Sequence, residues 1–365
     1  MANQTVSPNS GYKLEAPIPK LNGRPCNGGI GTGNSCLVEN ILPDAESQGI
    51  FKNLNNEIKW GEMSHKGGLV PRLVCNEGTI YSNSTEESKV PSKFIPVYRH
   101  PAANPPPLIN WTTHVNKIRK IAEEICGHPL NHALIQLYRG GDDYISEHAD
   151  KTLDIMEGSY ICNYSCGAQR TMILRPKKGA RGQRNTDNSL YSKDASTNHA
   201  NLSKKDQKEI DKKLEEDRKK LRIPMHHNSL FLLDPKTNRY MLHSIKRDKR
   251  PICEKTEEEL RDGGARISIT FRWIHTFERQ SDGKLFGGGS QRKRILVKEK
   301  ECEIFEDNKD DFGDGIIDAK NDIKVKEDGE QMLIGFSKEN TESESFDWES
   351  VYGCGFDAKE APNFV

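Results

Sequence analysis

Apolar and polar residues alternate in short segments between residues 132 and 274, and turn residues separate these segments. A period of two residues is typical of β-strands with one buried face. The segments are "HALIQLY", "SYICNYS", "RTMILR", "SLFLLD", "YMLHSI" and "RISITFRWI". In the last of them, Ile267, Ile269 and Phe271 alternate with Arg266, Ser268, Thr270 and Arg272. The pattern predicts a mainly β sandwich or barrel.

Two segments before these strands have the period of an α-helix. One has Asp44 as a plausible N-cap and apolar residues at Ile50, Phe51, Leu54 and Ile58. The second runs from about residue 112 to residue 126 and has a single apolar stripe. Because these helices come before the strands, we expect an α+β fold in which N-terminal helices support an antiparallel core.

Charge is unevenly distributed along a chain whose formal net charge is zero. Residues 170–222 contain 16 Lys or Arg against 8 Asp or Glu, whereas residues 296–365 contain 8 against 20. We therefore predict a flexible N-terminal segment (1–43), one domain (44–282) with a charged, solvated insertion (176–222), and an acidic, largely flexible C-terminal tail (283–365).

Several classes of protein are disfavoured by simple motifs. The nine cysteines are odd in number and form no CxxC pair, which argues against a zinc site and favours reduced thiols. The Gly-rich "GGIGTGNS" lacks the lysine and the spacing of a nucleotide-binding loop. No apolar stretch is long enough to cross a membrane, so a soluble, monomeric protein of the nucleus or cytoplasm is expected.

The segment "ISEHADKT" carries the clearest chemical signal. His148 and Asp150 are two residues apart, so on an extended segment both side chains project to the same side. A second histidine would complete the two-histidine, one-carboxylate ligand set of non-haem Fe(II) oxygenases. The later candidates are His226, His227, His243 and His275. We favour His243, because its strand precedes the arginine-bearing strand by one loop.

The two arginines of "RISITFR" could serve such a site. Oxygenases of this type use a dicarboxylate co-substrate, and the planar guanidinium suits a carboxylate. Arg266 and Arg272 would lie roughly 20 Å apart on an ideal strand. They therefore cannot both bind one carboxylate, and two separate tasks are expected.

The chain contains HxD, then a later histidine, then RxSxTxR. This order resembles that of the AlkB family of Fe(II)- and 2-oxoglutarate-dependent dioxygenases, whose strand motif is RxNxTxR. "HALIQLYRGGDDYISEHADK" is similar to the family's strand-turn-HxD block. The resemblance covers about residues 45–280 without the insertion and is closest to fungal AlkB-like proteins. It implies a double-stranded β-helix, or jelly roll, with Fe(II), 2-oxoglutarate and O2 as cofactor and co-substrates.

The resemblance also implies roles for single residues. Fe(II) would bind to His148, Asp150 and His243. Arg266 would pair with the distal carboxylate of 2-oxoglutarate, helped by Tyr138, and Arg272 would stabilise the end near the metal or the wall of the site.

Three positions depart from the family pattern. Gln136 and Ser268 each stand where an asparagine is usual. Thr152 stands where members of the family have an acidic residue that contacts the alkylated base of their nucleic-acid substrate. The missing acid puts recognition of such a base in question.

The implied reaction is oxidative N-demethylation of nucleic-acid bases, in which hydroxylation is followed by release of formaldehyde. A segment that covers the site would supply Arg72, Tyr98, Arg99 and His100 to an alkylated nucleic acid. Thr152 favours the alternative that the same chemistry acts on a small metabolite or a protein side chain. A third hypothesis is a binding module with a vestigial metal site.

Overall fold

Two facing β-sheets form the core of the protein in a computed structural model, which describes residues 13–65, 68–83, 92–101, 104–177, 220–292, 296–297, 304–305 and 319–359. Within these ranges the strands are β1 (Cys26–Ile30), β2 (Ser35–Val38), β3 (Ser64–His65), β4 (Gly68–Leu69), β5 (Leu73–Gly78), β6 (Tyr81–Asn83), β7 (Ser92–Pro96), β8 (Leu108–Asn110), β9 (His132–Tyr138), β10 (Ile145–His148), β11 (Ile161–Gly167), β12 (Arg170–Pro176), β13 (Leu221–Met225), β14 (Ser229–Leu233), β15 (Met241–Ile245), β16 (Arg266–Arg272), β17 (Thr276–Arg279), β18 (Leu285–Gly287), β19 (Leu296–Val297) and β20 (Ile304–Phe305).

Helices lie outside the two facing sheets. The α-helices of the described residues are α1 (Asp44–Glu57), α2 (Thr113–Cys126), α3 (Pro235–Tyr240), α4 (Glu257–Leu260), α5 (Ala319–Thr341) and α6 (Trp348–Tyr352). Short 3-10 helices span Ile252–Glu254 and Arg261–Gly264. Helix α1 begins at Asp44 with Pro43 as its N-cap, one residue earlier than expected, and α2 has Thr112 as its N-cap.

The larger sheet has β16 near its centre. Its strand order within the described residues is β1-β2-β14-β11-β16-β9-β5-β8, and the facing sheet has the order β10-β15-β12-β13. Strand β16 pairs antiparallel with both β11 and β9, and Arg266 lies opposite Tyr138. A further four-stranded sheet has the order β18-β17-β7-β6.

The two faces of β16 have different neighbours. Ile267, Ile269 and Phe271 are fully buried in a cluster that includes residues of α1 and α2. A second apolar cluster joins the inner faces of the two sheets, for example Phe231 of the larger sheet and Leu174 of the smaller. The polar face of β16 therefore points between the sheets. The predicted mainly β jelly roll with N-terminal supporting helices is confirmed.

The N-terminal region differs from the expectation of a flexible segment over residues 1–43. Strands β1 and β2 form a hairpin through the Gly-rich segment, and β2 pairs with β14. All four residues of β2, "SCLV", are buried. Strand β2, with its buried side chains, thus extends the larger sheet. The Gly-rich sequence around this strand did not indicate that it would.

The C-terminal region also departs from the predicted flexible tail over residues 283–365. Strand β18 lies beyond residue 282, and α5, α6 and the residues after them pack on the domain. Their buried cluster comprises Leu153, Met332, Phe336, Phe346, Tyr352 and Ala358. Aromatic residues spread thinly through an acidic sequence therefore assemble into one apolar contact. Most of the predicted insertion, residues 178–219, lies outside the described residues.

Removal of the Phe336 ring should release the C-terminal helices. Phe336 is 2% exposed, so Phe336→Ala should cost about 3–5 kcal/mol of docking free energy. Ile334 lies on the same helix but is 48% exposed, and Ile334→Ala is the matched control. Hydrogen exchange over residues 325–359 should accelerate strongly only in the Phe336 variant. Equal acceleration in both variants would contradict this packing.

Candidate active site

A cavity of about 440 Å³ lies between the two sheets. The polar face of β16 forms one wall, because Arg266, Ser268, Thr270 and Arg272 all line it. Residues of β9, β10 and β15 also line the cavity. The alternation along β16 thus separates a helix-packing face from a cavity-facing one.

Three potential metal ligands meet in this cavity. His148 ends β10 and lies opposite His243 of β15, while Asp150 follows two residues later. One ligand atom from each of the three lies within 4.8 Å of the others. The Nε2 atoms of both histidines are 3.7 Å from Asp150 Oδ1. The sequence-based choice of His243 therefore agrees with the geometry.

Hydrogen bonds orient two of these ligand side chains, His148 and Asp150. His148 Nδ1 lies 2.8 Å from the carbonyl oxygen of Ser146, which can accept a hydrogen bond from Nδ1–H and leave the Nε2 lone pair free. Asp150 Oδ2 accepts from Arg272 Nη2 at 2.7 Å and from Nε at 3.1 Å. Asp150 Oδ1 is thereby left facing the histidines.

The electrostatics place the three ligands in their metal-binding protonation states. Burial lowers the pKa of His148 to about 3, helped by His243, and burial also lowers the pKa of His243. Burial alone would raise the pKa of Asp150, but Arg272 and the two histidines outweigh it and lower that pKa. Two neutral imidazoles and one carboxylate at neutral pH form a donor set that fits Fe(II).

Arg266 lies at the other end of the cavity-facing wall. Its side chain is 1% exposed, and its Nη2 donates to Ser165 Oγ at 2.6 Å. Its Nη1 is buried without a hydrogen-bond partner, and none of the described carboxylates forms an ion pair with it. Burial lowers the pKa of Arg266 to about 10, so the group is still a cation at neutral pH. A buried cation with an unused N–H is suited to an anionic ligand.

Tyr138 and Gln136 stand beside Arg266. The Arg266 guanidinium carbon is 5.3 Å from the centre of the Tyr138 ring. The Tyr138 hydroxyl donates to Gln136 Oε1 at 3.1 Å, and both side chains line the cavity. The longer glutamine is thus accommodated next to the tyrosine.

Three of the expected substrate residues lie at the cavity. Arg72, Tyr98 and His100 line it. The Tyr98 and His100 rings stack with centroids 5.3 Å apart, and the Arg272 guanidinium lies 4.0 Å from the centre of the Tyr98 ring. These rings form a flat surface next to the metal-ligand cluster.

Arg99 and Thr152 do not line the cavity, which corrects their predicted contact with substrate. Arg99 forms a buried ion pair with Asp154 at 2.6 Å and donates to carbonyl groups of the C-terminal region. Thr152 donates from its backbone to Glu339 at 3.0 Å and accepts from the Trp348 indole at 3.1 Å. Both side chains hold the C-terminal region in place. These contacts could not be predicted from local sequence patterns, because their partners lie far away in the sequence.

The rival histidines are occupied elsewhere. His226 pairs with Glu39, His227 contacts the backbone of Ser47, and His275 contacts the carbonyl oxygen of Leu153. None of the three lines the described cavity.

Three polar residues at the site, Asn163, Ser165 and Asn340, were not predicted from the sequence. Asn163 and Ser165 alternate on β11 next to β16, so the strand period alone could have placed them near Arg266. Asn340 lies almost 200 residues from the HxD motif in an acidic region, and no local pattern marks it.

The model of the 2OG-Fe(II) oxygenase superfamily matches residues 34–272, more than half of the chain. The chain belongs to this superfamily. It is therefore a 2-oxoglutarate-dependent dioxygenase that uses Fe(II), 2-oxoglutarate and O2. Within the described ranges, no helix is both long and apolar enough to cross a membrane.

Curated relatives place the oxygenase among AlkB-like enzymes. DNA oxidative demethylase ALKBH2 of Mus musculus is 24% identical over 66% of this chain and 81% of its own length. The Homo sapiens protein is 24% identical over 68% and 81%, and the Arabidopsis thaliana protein 24% over 67% and 68%. The predicted AlkB-like family is confirmed, while the likeness to fungal members stays a prediction.

A solved structure of OsALKBH1 aligns with 68% of this chain and all of that chain, at 13% identity and a TM-score of 0.35. So weak a likeness carries no structural argument.

Metal binding should depend little on pH in the mildly acidic range. Two histidines with ordinary pKa values would cost about 100-fold in affinity between about pH 7.5 and 5.5, because protons compete for their ring nitrogens. Since both pKa values are lowered, we expect a loss well below 100-fold for Mn(II), measured by electron paramagnetic resonance of the free ion. His148→Ala should abolish the binding. A 100-fold loss in the unchanged protein would contradict the electrostatics described above.

Proposed function

We propose that this oxygenase removes small alkyl groups from the bases of nucleic acids. Three of its relatives at 24% identity are named DNA oxidative demethylase. The observation that carries the substrate class is the stacked Tyr98–His100 pair, which lines the cavity beside the metal-ligand cluster. Enzymes that act on bases extrude the target nucleotide and stack it against flat side chains.

In this proposal the metal ligands are His148, Asp150 and His243. When bound, Fe(II) with 2-oxoglutarate and O2 supplies an oxidative decarboxylation to succinate and CO2, coupled to hydroxylation of a substrate C–H bond. On an N-methyl group, hydroxylation gives an unstable hemiaminal that loses formaldehyde, and the net result is demethylation.

The protein side chains divide the remaining work. Arg266 binds the distal carboxylate of 2-oxoglutarate through its unused N–H, and Tyr138 with Gln136 forms the adjoining wall. Arg272 holds Asp150 Oδ2, so that only Oδ1 is offered to the metal. The two arginines thus perform separate tasks at the two ends of β16.

The rim of the cavity receives the nucleic acid. His100 stacks on the extruded base, Tyr98 supports the His100 ring, and Arg72 supplies a cation beside them. A nucleic-acid substrate would place the enzyme in the nucleus or cytoplasm.

A small metabolite or a protein side chain is the second candidate substrate. Of the two carboxylates lining the cavity, Asp150 pairs with Arg272 and Glu147 with Arg175. Neither is free to meet a cationic alkylated base, and Thr152 faces the C-terminal region instead. Turnover with metabolites or peptides, but not with nucleic acids, would support this candidate.

Arg266→Ala should weaken the binding of 2-oxoglutarate without weakening the binding of the metal. Loss of a charge-assisted hydrogen bond, about 1.5–3 kcal/mol, corresponds to an increase of roughly 10- to 150-fold in the Kd of 2-oxoglutarate. Mn(II) affinity in the absence of co-substrate should stay within about threefold, because Arg266 does not contact the three ligands. Arg266→Lys, which keeps the charge but not the fork, should recover part of the loss. An unchanged Kd in Arg266→Ala would refute the assigned role.

A methylated oligonucleotide should release formaldehyde in stoichiometric amounts with succinate. Base stacking on an aromatic ring contributes about 1–3 kcal/mol, so His100→Ala should lower kcat/KM for the oligonucleotide by roughly 5- to 150-fold. Uncoupled succinate formation should persist in that variant, since His100 is not among the metal ligands. Persistent uncoupled turnover by the unchanged enzyme, with no formaldehyde from methylated DNA or RNA, would rule out the proposed function.

A further inference from the structure

The C-terminal region forms part of the cavity wall next to the metal ligands. Helix α5 begins well after residue 272, where the family match ends. Glu339 of this helix accepts hydrogen bonds from the Thr152 backbone and from the Tyr352 hydroxyl, and its carbonyl oxygen accepts one from Lys177. The next residue, Asn340, lines the cavity. Part of the cavity lining, Asn340, therefore comes from outside the matched oxygenase region.

The Asn340 carboxamide is fixed in one orientation. Its Oδ1 accepts from the backbone N–H of Ala149 at 3.0 Å, and also from Lys151 Nζ. A backbone N–H can only donate, so the atom that faces it must be the oxygen. Ala149 lies between the ligands His148 and Asp150, so this hydrogen bond places the carboxamide directly beside the metal-ligand cluster.

The other half of the carboxamide is unused. Asn340 Nδ2 carries two N–H donors, and it has no hydrogen-bond partner among the described residues. With Oδ1 held by Ala149 and Lys151, this amide nitrogen is the end of the side chain available to a molecule in the cavity. The Nδ2 group can pair only with a hydrogen-bond acceptor. A substrate that presents a donor at this position would leave that donor unpaired.

We propose that Asn340 determines substrate specificity by donating a hydrogen bond to a carbonyl oxygen that flanks the alkylated nitrogen of the base. This inference rests on the proposed function and narrows its substrate class. In 3-methylthymine, carbonyl groups flank the methylated nitrogen. In 1-methyladenine the neighbouring exocyclic group is an amine, which presents donors. Asn340 thus favours oxo-bearing bases over alkylated adenine.

The test uses the full-length chain with Fe(II) and 2-oxoglutarate and two oligonucleotides that differ only in a single 3-methylthymine or 1-methyladenine. The unchanged enzyme should show a kcat/KM about 10-fold or more higher for 3-methylthymine, because a site that hydrogen-bonds one substrate group discriminates against a mismatched one. A preference for 1-methyladenine would overturn the proposal.

Asn340→Asp is the decisive variant. Its carboxylate keeps an oxygen for Ala149 and Lys151 but replaces the donor Nδ2 by an acceptor. The ratio of kcat/KM for 3-methylthymine to that for 1-methyladenine should fall by about 10-fold or more. Lys338→Ala, on an exposed residue of the same helix, should leave the ratio unchanged. Hydrogen exchange over residues 325–359 should be the same in both variants and the parent, which shows that α5 remains docked.

The outcomes separate the two proposals. If neither oligonucleotide is demethylated while uncoupled succinate formation persists, the proposed function fails and this inference fails with it. If both are demethylated and Asn340→Asp, with α5 docked, leaves their ratio unchanged, only the role of Asn340 is refuted. A faster hydrogen exchange in Asn340→Asp, with the ratio changed equally by Phe336→Ala, would also refute it, because undocking alone would then explain the effect.

Discussion

The buried ion pair between Arg272 and Asp150 is the interaction on which the site depends. It joins the central strand of the larger sheet to the segment that follows β10, and both side chains are almost completely buried. A buried carboxylate needs such a partner, and removal of one member of a buried pair is strongly destabilising. The pair also occupies Asp150 Oδ2, so the same contact that stabilises the junction turns Oδ1 toward the two histidines.

Strand β16 combines a structural and a chemical role because its side chains alternate. The apolar face packs with α1 and α2. The polar face carries Arg272, which is paired with a carboxylate, and Arg266, whose Nη1 has no hydrogen-bond partner. Arg266 is buried without a carboxylate partner, an arrangement that costs free energy in the absence of a ligand. An anionic co-substrate would recover that cost on binding. The division of labour between the two arginines therefore follows from their separation along a single strand.

The periodicity of apolar and polar residues predicted the features of the fold and the site that depend on residues close together in sequence. The bounds of β9 and β16, the HxD motif and the choice of His243 could all be read from spacing and alternation. The contacts of Arg99, Thr152 and Asn340 could not, because each joins residues far apart in sequence. The packing of the C-terminal region was hidden for a related reason. Its aromatic residues are few, widely spaced and surrounded by acidic ones, so composition alone indicated a flexible tail.

The division of work between the two arginines can be tested in a crystal structure of the protein with Mn(II) and 2-oxoglutarate. We expect Mn(II) bound to His148 Nε2, His243 Nε2 and Asp150 Oδ1, with Arg272 still paired to Oδ2. We also expect the distal carboxylate of 2-oxoglutarate within hydrogen-bond distance of Arg266 Nη1. A distal carboxylate bound to Arg272, with Asp150 released from that arginine, would contradict this division of work.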